Sequence, residues 1–240
     1  MSIKTSASPQ SQVKLPDGCE PRMLSFDVYG TLVNTPPANV RAFESILADS
    51  GRPDVDAKAF YSFWEQRNIA HYYEPYRSYK DICRLSLAEA YEKFDVAAGR
   101  EESITRYFEC FSSMELYPDV LRTLEVLAPR YKLALVSNID DDLLAATALG
   151  REFDLVCTAE RARGYKPDGA LFRYLINSSG LSVTEILHSG QSQFTDMVGG
   201  KPLGLTIAWI NRRGLALDAR VPPPDLILSD LTPLCDLLRS

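Results

Sequence analysis

Histidine is nearly absent. His71 and His188 are the only two in 240 residues, and they lack the close spacing of a metal-binding pair. Cysteine is sparse: Cys19, Cys83, Cys110, Cys157 and Cys235 are odd in number, scattered, and form no Cys-x-x-Cys. That excludes a disulfide framework and a structural zinc site as leading readings, and it fits a reducing, cytoplasmic compartment. Positive charge is in deficit, with 26 Lys and Arg against 32 Asp and Glu for a net charge of −6. No basic excess is available to neutralise phosphates, so neither nucleic acid nor an anionic membrane is an expected partner. No apolar run reaches the roughly 20 residues that a membrane span needs. Residues 1–19, rich in Ser, Gln and Pro, lack the apolar stretch of a secretory leader and are expected to be a disordered lead-in. No internal repeat is present.

What is present is enough for a globular core, with 45% hydrophobic and 24% charged residues, both ordinary for such a chain. Met23-Leu24-Ser25-Phe26 is a short apolar run ending at Asp27, followed by a turn at Gly30-Thr31; it reads as a buried strand and loop. Val40, Phe43, Ile46 and Leu47 recur at helical spacing. From about 56 to 113 the apolar residues keep that spacing, as in Phe60, Phe63 and Trp64, and no strand is legible.

After Leu116-Tyr117-Pro118-Asp119 the texture changes. Strands are expected at 132–136, 153–157, 186–189, 205–210 and 225–228, with helices such as 119–128 and 168–177 between them. This alternation predicts an α/β fold, a doubly wound parallel sheet covered on both faces. Residues 20–35 and 115–240 form the predicted core. Residues 36–114 form a helical insert that leaves just after the first strand and sits above the strand ends as a cap.

Four polar clusters fall at or just beyond strand ends: Asp27 with Thr31, Ser137-Asn138, Lys166-Pro167, and Gln191-Ser192 with Asp196. In an open parallel sheet these ends converge on one crevice. Taken singly, each has an ordinary explanation. An Asp after a strand forms turns or caps helices, and Lys-Pro-Asp can start a helix. Taken together they make a coherent chemistry. A carboxylate can form an ester and split one hard step into two, and a nearby ammonium keeps it ionised. Hydroxyl and amide donors can hold a developing anion.

These residues resemble a known family. Phe26-Asp27-Val28-Tyr29-Gly30-Thr31-Leu32 is similar to the first motif of the haloacid dehalogenase superfamily. Ser137-Asn138 resembles its second motif, and Tyr165-Lys166-Pro167 with Phe172 its third. Ser189-Gly190-Gln191-Ser192 with Asp196, then Trp209-Ile210-Asn211-Arg212, resembles its fourth region. The resemblance covers nearly the whole chain after residue 20. It implies a Rossmann-like core with a mobile cap that selects a small-molecule substrate. Asp27 would be the nucleophile. Thr31 and Ser137 would hydrogen-bond its carboxylate or the leaving group, and Asn138 would position substrate. Lys166 would neutralise charge, while Asp196 would support Lys166 and the hydrolytic water.

The Asp-x-Tyr-Gly-Thr form resembles the L-2-haloacid dehalogenases. Phosphatases of the superfamily have a second Asp where this chain has Tyr29, a poor acid at neutral pH. A leaving halide needs no proton. Phosphatases also place a magnesium-binding Asp where this chain has Gln191, and a neutral amide is a weaker ligand for a hard dication. No metal or other cofactor is therefore expected, magnesium being required only under the alternative reading of a phosphatase acting on a small phosphate ester. A catalytically impaired, ligand-binding member is a third reading.

The cap departs from the dehalogenase pattern. That subfamily carries a Trp-Arg pair whose Arg grips the halide and the substrate carboxylate, but here Trp64 is followed by Glu65. Tyr29, Asn138, Gln191, Ser192, Trp64 and Arg67 are the substrate-binding candidates, with Arg77 and Lys80 as further cations. Tyr72, Tyr73, Tyr76 and Tyr79 read first as helix packing and second as a pocket wall. His188, at the end of an apolar strand, reads as structural. Oligomeric state stays open, although members of this superfamily often form homodimers.

Overall fold

Met23–Phe26 forms β1, buried along its whole length, as a strand covered on both faces requires. The computed structural model describes residues 14–97 and 99–239. The lead-in expected over residues 1–19 lies outside these for residues 1–13. Residues 14–19 depart from that expectation: Leu15 packs against the core, and the Cys19 amide closes a turn on the Pro16 carbonyl.

After β1 the chain makes β2 (Val33–Asn34), α1 (Pro36–Asp49), α2 (Ala57–His71), α3 (Tyr79–Lys93) and α4 (Thr105–Glu109). It returns through β3 (Glu115–Leu116), which pairs antiparallel with β2. That ribbon, not legible in the sequence, joins the two chain segments where the insert leaves the core. Then follow α5 (Val120–Leu127), β4 (Lys132–Ser137), α6 (Asp141–Ala146), β5 (Leu155–Thr158), α7 (Ala159–Ala162), α8 (Ala170–Ser179) and β6 (Ile186–Gly190). The chain ends with α9 (Val198–Gly200), β7 (Thr206–Ile210), β8 (Leu226–Leu228) and α10 (Pro233–Leu237).

The main sheet is a parallel one in the order β5-β4-β1-β6-β7-β8. The doubly wound α/β class expected from the alternation is what the chain adopts. From β1 the chain winds outward through β4 and β5, then back to β6 on the other side. The order therefore reverses at β1, and a crevice opens at its carboxyl end.

Strand periodicity sorts the core into two layers. Ala134 and Val136 pack with Leu171, Phe172 and Leu175 of α8. Leu133 and Leu135 face the other way, onto Val120, Leu124 and Leu127 of α5. The second layer runs on without a break into the insert, through Phe43, Phe60, Trp64 and Tyr107.

Aromatic contacts and helix caps fix the insert over the crevice. Trp64 meets Phe43 at 4.9 Å and Tyr107 at 5.0 Å between ring centres. Tyr107 meets Phe111 at 5.2 Å, and Phe111 meets Tyr29 of the core edge-on at 5.2 Å. Such pairs add roughly 0.5–1.5 kcal/mol each beyond area burial. On the opposite side, Tyr72 stacks on Tyr165 of the core at 4.6 Å. Asp140 of the core accepts hydrogen bonds from the Tyr79 and Lys80 amides at the start of α3, at 2.8 and 3.0 Å. This carboxylate satisfies donors that the first helical turn leaves free and lies at the positive end of the helix dipole.

Candidate active site

Asp27 follows the last residue of β1, and its amide donates to the Ser189 carbonyl of β6 at 2.9 Å. Its side chain is held at two points. The Lys166 ammonium donates to Oδ1 at 2.8 Å, and the Thr31 hydroxyl donates to Oδ2 at 2.8 Å. Thr31 in turn accepts from the Gln191 amide at 2.9 Å, so its one hydroxyl proton is left for Asp27. Gly30 has φ +88°, and a Cβ there would press on the Gln191 side chain at 3.1 Å. Only glycine meets both conditions comfortably.

Lys166 is 1% exposed and uses all three of its donors. They reach Asp27 Oδ1, the Val136 carbonyl at 2.9 Å and Asp196 Oδ1 at 2.7 Å. Its main chain is fixed by Asn138, whose Nδ2 donates to the Lys166 carbonyl at 2.9 Å and whose Oδ1 accepts from the Lys166 amide at 2.8 Å. The Lys166–Pro167 peptide is cis. Asp196 is fully buried. Its Oδ2 accepts from the Ser192 amide at 3.0 Å, and His188 Nε2 lies 3.2 Å from its Oδ1. His188 Nδ1 meets the Ser25 hydroxyl at 3.0 Å, so the ring braces Asp196 from below. Gly190 is required here, because a Cβ would overlap the Asp196 carboxylate.

Charge follows this geometry. For Asp196, burial works upward, but Lys166 and His188 outweigh it and hold the carboxyl well below its ordinary range. For Lys166, burial works downward and is outweighed by Asp196 and Asp27, so the ammonium is retained above its ordinary value. Asp27 goes the other way. Burial raises its carboxyl above the ordinary range, and Lys166 and Thr31 only partly offset this. The more basic of the two carboxylates is thus the one that faces the cavity.

That cavity, of about 420 Å³, has Asp27, Ser137, Asn138, Lys166, Gln191 and Ser192 on its core side. The Ser137 hydroxyl is buried and has no partner among the described residues. On the insert side lie Asn39, Tyr61, Trp64, Glu65, Asn68 and Tyr72. Arg212 and Arg213, beyond β7, complete the wall. Arg212 forms a two-point pair with Asp119 at 2.8 Å and lies 4.0 Å over the Tyr117 ring. Arg213 donates to the neutral Gln191 Oε1 at 3.0 Å.

Asp27, Thr31, Ser137, Lys166 and Asp196 therefore meet at one edge, with Tyr29, Asn138, Gln191, Ser192 and Trp64 around them. Several expected roles change. Arg67 is absent from the wall: its guanidinium points along the insert surface to Glu89 of α3. Lys80 pairs with Asp142 at 2.6 Å, and Arg77 is not on the wall either. Asn138 positions the Lys166 main chain through both of its amide atoms, besides lining the cavity. The Ser192 hydroxyl accepts from the Thr195 amide at 3.2 Å, as an N-cap does. Asp196 is buried away from the cavity and accepts from Lys166 and the Ser192 amide; it acts through Lys166 and not on a water in the cavity. Tyr29 lines the cavity, but its hydroxyl bonds to Thr147 at 2.9 Å. Of the tyrosine cluster, Tyr72 and Tyr79 line the cavity, Tyr76 stacks on Tyr165, and Tyr73 is 63% exposed.

Sequence reasoning passed over Asn39, Asn68, Tyr61 and Arg213. The two asparagines carried a signal. Asn68 continues the inward stripe of Phe60 and Trp64, and Asn39 lies one turn before Phe43; a polar residue on an apolar stripe asks for a partner.

A family model described as haloacid dehalogenase-like hydrolase matches residues 24–210. Among curated proteins, the chain is 25% identical to (S)-2-haloacid dehalogenase 4A of Burkholderia cepacia, over 90% of this chain and 94% of that one. It is 26% identical to phosphoglycolate phosphatase 1 of Pseudomonas aeruginosa, over 90% and 80% respectively. Among solved structures, the L-2-haloacid dehalogenase of Xanthobacter autotrophicus superposes with a TM-score of 0.77 at 22% identity, covering 92% of this chain and 99% of that one. No helix among the described residues is long and apolar enough to cross a membrane.

Proposed function

The chain belongs to the haloacid dehalogenase-like hydrolase family, and from that premise we propose that it hydrolyses a short 2-haloacid without a metal, through an ester on Asp27. The carrying observation is the Lys166 ammonium held between Asp27 and Asp196 under the cavity. The ammonium favours the charged form of the carboxylate at the cavity face, against the burial that raises it. The Asp27 oxygen attacks the carbon bearing the halogen, and the carbon–halogen bond breaks with its electron pair leaving as halide. Water then adds to the ester carbonyl. The oxyanion forms on the Asp27 oxygen that did not attack and keeps that oxygen's donor, Lys166 at Oδ1 or Thr31 at Oδ2, an interaction of the kind worth roughly 3 kcal/mol. Collapse breaks the acyl C–O bond, frees the hydroxy acid, restores the carboxylate and releases one proton to solvent.

Three further features support this reading. The Tyr29 hydroxyl is turned to Thr147, and burial raises it far above its ordinary value, so it is no acid for an alkoxide leaving group; halide needs none. Ser137 offers a buried, unpartnered hydroxyl to a ligand. Arg213, bonded to a neutral amide, is available for the substrate carboxylate in place of a cap arginine.

Two features weigh against the magnesium that the phosphatase alternative needs. Both Asp196 oxygens accept from protein donors, and Gln191 offers only an amide. The likeness to a phosphoglycolate phosphatase keeps phosphate-ester hydrolysis as the second reading. A screen of short 2-haloacids with and without chelator separates the two. Halide release indifferent to chelator is expected, and Asp27→Asn should lower it by at least ~10⁴-fold with the fold retained. Chelator-sensitive phosphate release from phosphoglycolate, with no halide released from any haloacid, would overturn the proposal.

A further inference from the structure

We propose that Glu65, Tyr61 and Asn39 recognise a protonated amine on the substrate, at the end remote from the reacting carbon. This rests on the dehalogenase reading for the identity of the reacting end. Asn39 lines the cavity and is 3% exposed, yet its Oδ1 has no partner among the described residues. The hydrogen-bond chain around it fixes which way its amide points. Tyr61 donates its only hydroxyl hydrogen to Glu65 Oε1 at 2.9 Å, and Asn39 Nδ2 donates to the Tyr61 oxygen at 2.9 Å. A flipped Asn39 would place its carbonyl against an oxygen with no hydrogen left to give. The carbonyl is therefore the orphan, and a buried orphan acceptor is a cost that a ligand donor removes.

Glu65 extends the same wall with an exposed carboxylate, an acceptor-only group when ionised. A neutral hydroxyl on the ligand would satisfy Asn39 but leave that charge unanswered; an ammonium answers both. The ring of Tyr61, stacked on Trp64 at 5.8 Å, and that of Tyr72 stand on the wall as well, and aromatic faces attract cations. The wall's own cations do not compete. Lys166 and Arg212 are held by carboxylates, and Arg213 is left for a ligand carboxylate. The site thus favours a zwitterion.

Calorimetric binding of caproate, its ω-hydroxy derivative and its ω-amino derivative tests this without turnover. The full-length protein should bind the ω-amino acid at least about tenfold tighter than caproate, with the hydroxy acid between. In Glu65→Gln the amine advantage should fall to about twofold or less, while Asn39→Ala should weaken both substituted ligands relative to caproate. Equal binding of amine and caproate, an amine preference that survives Glu65→Gln, or binding by none of the three overturns the assignment. Amine-selective binding in a protein that releases no halide sinks the dehalogenase reading alone. Halide release with indifference to the amine sinks this one alone.

Discussion

The two walls of the cavity are built by different physics. On the core side the polar groups sit at strand ends and most are over-determined, the Ser137 hydroxyl being the exception. Lys166 has three partners, Asp196 has both oxygens engaged, and Asn138 and His188 hold their neighbours. On the insert side the polar groups ride on helices packed by aromatic rings, and some are left open, as Asn39 Oδ1 is. A site whose chemistry is common to many substrates needs the first kind of wall, pre-organised before a ligand arrives. Selection among substrates needs the second, where unmet hydrogen bonds penalise the wrong ligand.

The largest effect that can break this contrast is on the rigid side. Lys166→Met leaves two buried carboxylates without their cation. Turnover should fall by about 10²–10³-fold, and thermal or denaturant unfolding should show a loss of about 3 kcal/mol. Turnover within a factor of a few of the parent would show that the ammonium is not part of the chemistry.

The next effect is on pH dependence. Burial raises the Asp27 carboxyl in the folded state, so it takes up a proton earlier as pH falls, and the nucleophile is lost with it. The acid limb of kcat/KM should therefore lie above the ordinary aspartate value of about 3.9. Asp196 has the opposite sign. Its carboxyl is lowered, so the stability it contributes is complete above the unfolded value and disappears only as pH falls through the lower folded one. An acid limb at or below the ordinary value would place the two carboxylates in the reverse roles.

The smallest effect sharpens the comparison on the helical side. Arg67 is paired with Glu89 on the insert surface, away from the cavity. Arg67→Ala should change kcat/KM by less than about twofold and stability by less than about 1 kcal/mol. A large rise in KM would mean that Arg67 swings onto the substrate.

The same contrast explains what was legible in the sequence. Short apolar runs set between stretches of helical spacing located the strands, because the sheet is buried on both faces and its strands are near-continuous apolar runs. Asp27, Lys166 and Asp196 could be grouped because a parallel sheet brings its carboxyl ends to one edge. The insert is different. Helical periodicity places Trp64 and Asn68 on one stripe but does not say which neighbour they meet, so Arg67 was drawn into the cavity and Asn39 was passed over. The β2–β3 ribbon was missed for a related reason. Two residues per strand carry no period, and only the chain's return makes them pair.

The most direct test of the ester on Asp27 is a single turnover with enzyme in excess, run in heavy-oxygen water with a 2-haloacid. Water that attacks the ester carbonyl leaves its oxygen in the protein, so the label should appear in the peptide carrying Asp27 while the released hydroxy acid stays light. Label in the hydroxy acid, with Asp27 unlabelled, would mean that water attacks the substrate carbon directly and that no aspartyl ester forms.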